Sequence, residues 1–137
     1  MKDKVFLDTN TLIYLYSDTE PEKKQKVFEI IKSNHIVISL QVIKEFCNIC
    51  IKKFQVSIKN IQLALNDFKS NFVILNLNIN TVFTALSLLN KYNFSFYDSL
   101  IISSALGCNC SILYTEDMHN NLVVENKLKI INPFFDA

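Results

Sequence analysis

Five short apolar runs punctuate this chain, and between them hydrophobic residues recur at helical spacing. The runs are Lys4-Val5-Phe6-Leu7, Ile36-Val37-Ile38-Ser39, Phe72-Val73-Ile74-Leu75, Ser111-Ile112-Leu113-Tyr114 and a last one near 128–131. The first four are apolar almost throughout. A strand with one wet face would alternate apolar and polar, so these read as strands covered on both sides. The intervening segments carry helical stripes, such as Val27, Phe28, Ile30 and Ile31, or Val42, Phe46, Ile49 and Cys50. The expected helices cover residues 9–16, a stretch opened by Pro21 and Glu22, then 40–54, 58–69, 81–91 and a segment within 93–107. Ser95 and Asp98 have the spacing of a capping box there, and Gly107 is its expected stop. Strands that alternate with helices imply a parallel sheet with helices on both faces, a three-layer α/β/α fold.

The 137 residues fit one domain, 1–137, which should bury roughly two-thirds of the surface its unfolded chain exposes. No linker, repeat or low-complexity segment interrupts it. Charge breaks the N-terminus at Lys2, Asp3 and Lys4, unlike a secretory signal, and no run approaches the ~20 apolar residues of a membrane helix. A soluble, cytoplasmic protein with no membrane partner is expected. The chain has a single glycine, which excludes a glycine-rich phosphate loop or dinucleotide fingerprint. A net charge of +1 argues against nucleic-acid binding by bulk electrostatics, while leaving room for a local basic face. The lysines at 23, 24 and 26 and at 52, 53 and 59 read as solvated helix faces. Cys47 and Cys50 fall inside a helical pattern and Cys108 and Cys110 straddle a strand entry. They read as small buried hydrophobes rather than a zinc site.

The acids are distributed more tellingly. Asp8 follows the first strand directly, and Thr115-Glu116-Asp117 follows the fourth. Glu45 sits about two turns into the helix after the second strand, on the border of its apolar stripe. Asp98 lies in the first turn of the helix before the fourth strand. In an open parallel sheet the crevice beyond the carboxyl ends of the strands is the usual ligand site. Each acid has an ordinary alternative: Asp8 as a helix cap, Asp98 as half of a capping box, Glu45 as a surface residue beside Lys44, Asp117 as loop. Four together on one rim, in a chain without arginine, ask for more. Two carboxylates ~4 Å apart repel by about 4 kcal/mol at an effective dielectric of ~20. A hard divalent cation, Mg²⁺ or Mn²⁺, relieves that repulsion, and Asp8, Glu45, Asp98 and Asp117 are its expected ligands. Such a site suits phosphodiester hydrolysis by an activated water.

The segments FLDTNTLIYLY, ISLQVIKEF, FSFYDSLIISSAL and ILYTEDM, in this order and spacing, resemble the successive motifs of PIN-domain nucleases. The small VapC-like ribonuclease toxins of type II toxin–antitoxin systems resemble it most, from Val5 to about Pro133. The resemblance assigns the family's four acids to Asp8, Glu45, Asp98 and Asp117. It makes Asn10 and Thr115 supporting polar residues, with Glu116 a further acid. Ser99 stands where the family usually has another small residue. It implies an Mg²⁺- or Mn²⁺-dependent endoribonuclease acting on RNA, a homodimer and a cognate antitoxin, or an RNA-processing nuclease with no toxin role. Two other classes share single features. A phosphatase of the haloacid dehalogenase type also begins with Asp after strand one, but needs a second Asp where this chain has Asn10. A receiver-like domain needs an Asp after strand three, where this chain reads Leu75-Asn76-Leu77.

Overall fold

The computed structural model of the protein describes residues 2–135. Its strands are β1 (Lys4–Leu7), β2 (His35–Ser39), β3 (Val73–Leu75), β4 (Ile112–Tyr114), β5 (Val123–Val124) and β6 (Leu128–Ile131). Its helices are α1 (Thr9–Leu12), α2 (Pro21–Ser33), α3 (Leu40–Lys52), α4 (Ile58–Asn71), α5 (Ile79–Lys91) and α6 (Phe96–Gly107). The strands form one sheet in the order β3-β2-β1-β4-β6-β5, parallel except where β5 meets β6. With its helices it makes the three-layer α/β/α fold of the sequence reading. From β1 the chain steps outward to β2 and β3, then returns across the sheet to β4. Right-handed crossovers put the helices before and after that reversal on opposite faces. β1 and β4, neighbours at the reversal, therefore border the crevice of the sheet.

The central strands bury what their sequences promise. Val5, Phe6, Leu7, Val37, Ile38 and Leu113 are wholly inaccessible. Burying such a side chain stabilises by about 1.5–3 kcal/mol relative to exposure. Phe46 of α3 and Phe68 of α4 meet edge-to-face at 5.0 Å, and Tyr16 packs edge-on at 5.5 Å from Phe46. α6 shows no amphipathic stripe because it has no wet face over most of its length: residues 99–105 are all buried between the sheet and α5.

Three local expectations differ. The helix expected over 9–16 is α1 followed by a 3₁₀ turn, Ile13–Tyr16. The tighter winding turns Tyr14 toward Glu116 and Tyr16 toward Phe46. α6 does end at Gly107, but the left-handed residue after it is Asn109, φ 59°, a residue type that tolerates this region. The last strand is half of an antiparallel hairpin whose turn residues, Glu125 and Asn126, both have positive φ. Among the described residues no helix is long and apolar enough to cross a membrane.

Candidate active site

Register builds the centre of the site. Leu7 pairs with Tyr114, so Asp8 and Thr115 are the first residues beyond the paired ends of β1 and β4. The Asp8 N–H still donates to the Tyr114 carbonyl at 3.0 Å. Asp8 is the N-cap of α1: its Oδ1 accepts from the Thr9 N–H at 2.8 Å. Its other oxygen accepts from the Thr115 hydroxyl at 2.9 Å. The residue is only 7% exposed, and burial pushes its carboxyl from 3.8 up to about 6. The hydrogen bonds from Thr115 and Thr9 pull the other way, and the charges of Glu45 and Asp98 push it further up. Asp8 is thus both helix cap and buried carboxylate.

Thr115 uses its whole hydrogen-bonding capacity. Its hydroxyl donates to Asp8 and accepts from Asn10 Nδ2 at 3.0 Å and from the Asp117 N–H at 3.3 Å. Asn10 ties the two acidic segments together. Its Nδ2 also donates to Asp117 Oδ2 at 2.8 Å, and its Oδ1 accepts from the Glu116 N–H at 3.2 Å. Glu45 reaches the rim through Thr9, whose hydroxyl donates to Glu45 Oε2 at 2.9 Å. Asp98 lies half-buried in the first turn of α6, where its N–H donates to the Ser95 hydroxyl at 3.1 Å. Its carboxyl is raised, first by burial and then by the charge of Asp117, against a hydrogen bond from Ser95.

All four acids therefore reach the carboxyl-end rim, linked in pairs: Asp8 feels Glu45 and Asp98, and Asp98 feels Asp117. They do not close into a cage. Among the described residues no three Asp, Glu, His or Cys side chains converge as a group able to hold a metal ion. Mutual repulsion keeps like charges apart, and a cation of the Mg²⁺ type takes only one or two protein carboxylates, keeping water or phosphate elsewhere. The oxygen-only donors at this rim fit such an ion in kind.

Several residues here have contacts that the sequence reading did not assign. Thr9 lies inside the Asp8-Thr9-Asn10 triplet, and only its contact with Glu45 shows its part. Glu116 is not a free acid: the Tyr14 hydroxyl donates to it at 2.8 Å, and Lys23 of α2 sits 3.6 Å away. Lys23 is thus paired with Glu116 while its side chain stays about one-third exposed, 32%. Near Asp98, Gln41 Oε1 and Ser99 Oγ are buried and have no hydrogen-bond partner among the described residues. A buried polar group left so costs about 1–3 kcal/mol.

A mainly parallel three-layer sheet with carboxylates collected at its reversal point defines an α/β protein with an acidic crevice. The chain belongs to the PIN-domain family, whose pattern matches residues 5–120. Members of that family are generally nucleases. None of the curated protein sequences matches this one. Among solved structures, a toxin–antitoxin complex from Klebsiella pneumoniae is similar, with a TM-score of 0.70 at 19% identity over 95% of this chain and 98% of that one. VapC20 of Mycobacterium tuberculosis, a toxin that cleaves the sarcin–ricin loop, gives 0.65 at 12% identity, covering 82% and 91%. VapBC2 of Rickettsia felis, bound to a DNA fragment of its promoter, gives 0.62 at 22% identity, covering 93% and 98%. At these identities the likeness is one of fold.

Proposed function

We propose that this protein is a divalent-metal-dependent endoribonuclease and the toxin of a toxin–antitoxin pair. The observation that carries the reading is the bonded set Asp8–Thr115–Asn10–Asp117 at the sheet's reversal, with Glu45 and Asp98 acting electrostatically on it. Family membership and the fold shared with toxin–antitoxin complexes support it. Asp8, Glu45, Asp98 and Asp117 are the acids that would hold Mg²⁺ or Mn²⁺, one or two of them directly and the others through its water. A metal held there would supply positive charge for the phosphate and make a water more acidic. Thr9 and Thr115 hold the Asp8 carboxylate between them. Asn10 aims Asp117, and Thr9 aims Glu45. Asp98 stands beside this set, its carboxyl raised by burial and by the charge of Asp117.

Purified protein is expected to cleave RNA in Mg²⁺ or Mn²⁺ and to stop in EDTA; cleavage that continues without metal sinks the mechanism. Expression alone should arrest growth, and co-expression of a small neighbouring reading frame should relieve it. Harmless expression assigns the nuclease to RNA processing instead.

The homodimer belongs to the same proposal. α5 leaves Ile79, Phe83 and Leu86 exposed at positions i, i+4 and i+7, one apolar stripe along the helix. Sedimentation should give a dimer for the protein and a monomer for Phe83→Asp. A monomeric parent protein rejects this part.

A further inference from the structure

A second concavity begins where the acid rim ends. A cleft of about 510 Å³ shares Glu45 with the rim and is walled by Leu77, which follows β3, and Leu100 of α6. Gln41 and Lys44 enter it from the start of α3, and Tyr97, immediately before Asp98, enters from α6. Its size lies within the range of small-ligand sites. Two features distinguish it from an ordinary apolar groove. Gln41 is only 9% exposed; its Nε2 donates to the Tyr97 carbonyl at 3.2 Å, while its Oε1 has no partner among the described residues. Tyr97 is 67% exposed, a ring left mostly in solvent beside a catalytic candidate.

We propose that this cleft takes one unpaired nucleobase of the RNA, next to the phosphate that is cut; the inference rests on the nuclease reading above. A base has two apolar faces, suited to Leu77, Leu100 and the Tyr97 ring, and an edge bearing N–H donors. A small turn of the Gln41 amide, whose last torsion is soft, brings Oε1 to that edge. Base-on-aromatic stacking tolerates any sequence, and Lys44 supplies charge for a flanking phosphate. Because Glu45 borders both spaces, a base in the cleft lays the adjoining phosphate at the acid rim. An aliphatic ligand would leave Oε1 unmet.

The probes are fluorescein-labelled pentamers of adenylate, cytidylate and uridylate. They are titrated in Mg²⁺ against the full-length protein carrying Asp8→Asn, so that the acid site is silent. Binding of at least one pentamer, weakened about 10-fold by Gln41→Leu and by Tyr97→Ala, supports the subsite. Tyr97 is a surface residue, so its variant keeps the test valid should Gln41→Leu fail to fold. Less than a twofold change in both variants, or no binding of any pentamer, overturns it. So does a shifted sedimentation coefficient with unchanged RNA affinity, which assigns the cleft to a protein contact. Cleavage of long RNA by the parent protein judges the nuclease reading separately. Cleavage with unaltered pentamer binding in the variants removes only the subsite. Gln41-dependent binding without any cleavage removes only the nuclease.

Discussion

Asp8→Asn is expected to end RNA cleavage and, in EDTA, to leave a more stable protein at pH 7. Altering a residue that only orients a metal ligand costs about 10–100-fold, so losing a proposed ligand should cost more than about 100-fold in activity. Stability runs the other way because the Asp8 carboxyl is buried and raised from 3.8 to about 6. Between those values the native state holds more protons on this group than the unfolded chain. Stability from Asp8 is therefore fully present below about pH 4 and declines as pH rises to 6. It stays lower above that by about 3 kcal/mol, two pKa units at 1.36 kcal/mol each. An amide never ionises and escapes that cost. It loses the hydrogen bond accepted from Thr115 and sets a buried N–H donor against that hydroxyl, a cost of about 1–3 kcal/mol. The ionisation cost is the larger effect, and urea unfolding in EDTA should show a net gain of up to about 2 kcal/mol at pH 7 and a flatter profile between pH 4 and 6. A variant less stable than the parent at pH 7 would contradict the burial argument.

Thr115→Val should produce the second large effect, with both changes in the same direction. The substitution keeps the shape of a wholly buried side chain and removes one donor and two acceptor sites. Asp8, Asn10 and the Asp117 N–H each lose a partner at once. The expected destabilisation is about 2–3 kcal/mol, with a fall in kcat/KM of about 10–100-fold. The loss of a donor should also carry the Asp8 carboxyl above 6, readable by side-chain carboxyl NMR. Thr115→Ser, which keeps the hydroxyl, should recover most of the activity. Parental kcat/KM in Thr115→Val would remove Thr115 from the site.

Much of the fold was legible because buried parallel strands advertise themselves. β1, β2 and β4 are short apolar runs, and their ends locate Asp8 and Thr115 to the residue. The β5–β6 hairpin was not legible, because its three-residue connection Glu125-Asn126-Lys127 lacks the glycine that usually marks such a turn. Glu45 could be placed near a helix border, but its link to the rim depends on Thr9, a residue that sequence spacing does not single out. Lys23 read as one lysine among several on an exposed helix, and only folding set it against Glu116.

The sequence by itself determined where each acid stands along its own element, since strand length, helix caps and apolar periodicity are local properties. The tertiary structure decided which of them share an environment. Thr9 meets Glu45 across 36 residues because β2 lies beside β1, and Asn10 meets Asp117 across 107 because the return crossover lays β4 on the other side of β1. The same packing excludes water from Asp8, and that exclusion turns an ordinary helix cap into a carboxylate that titrates near 6.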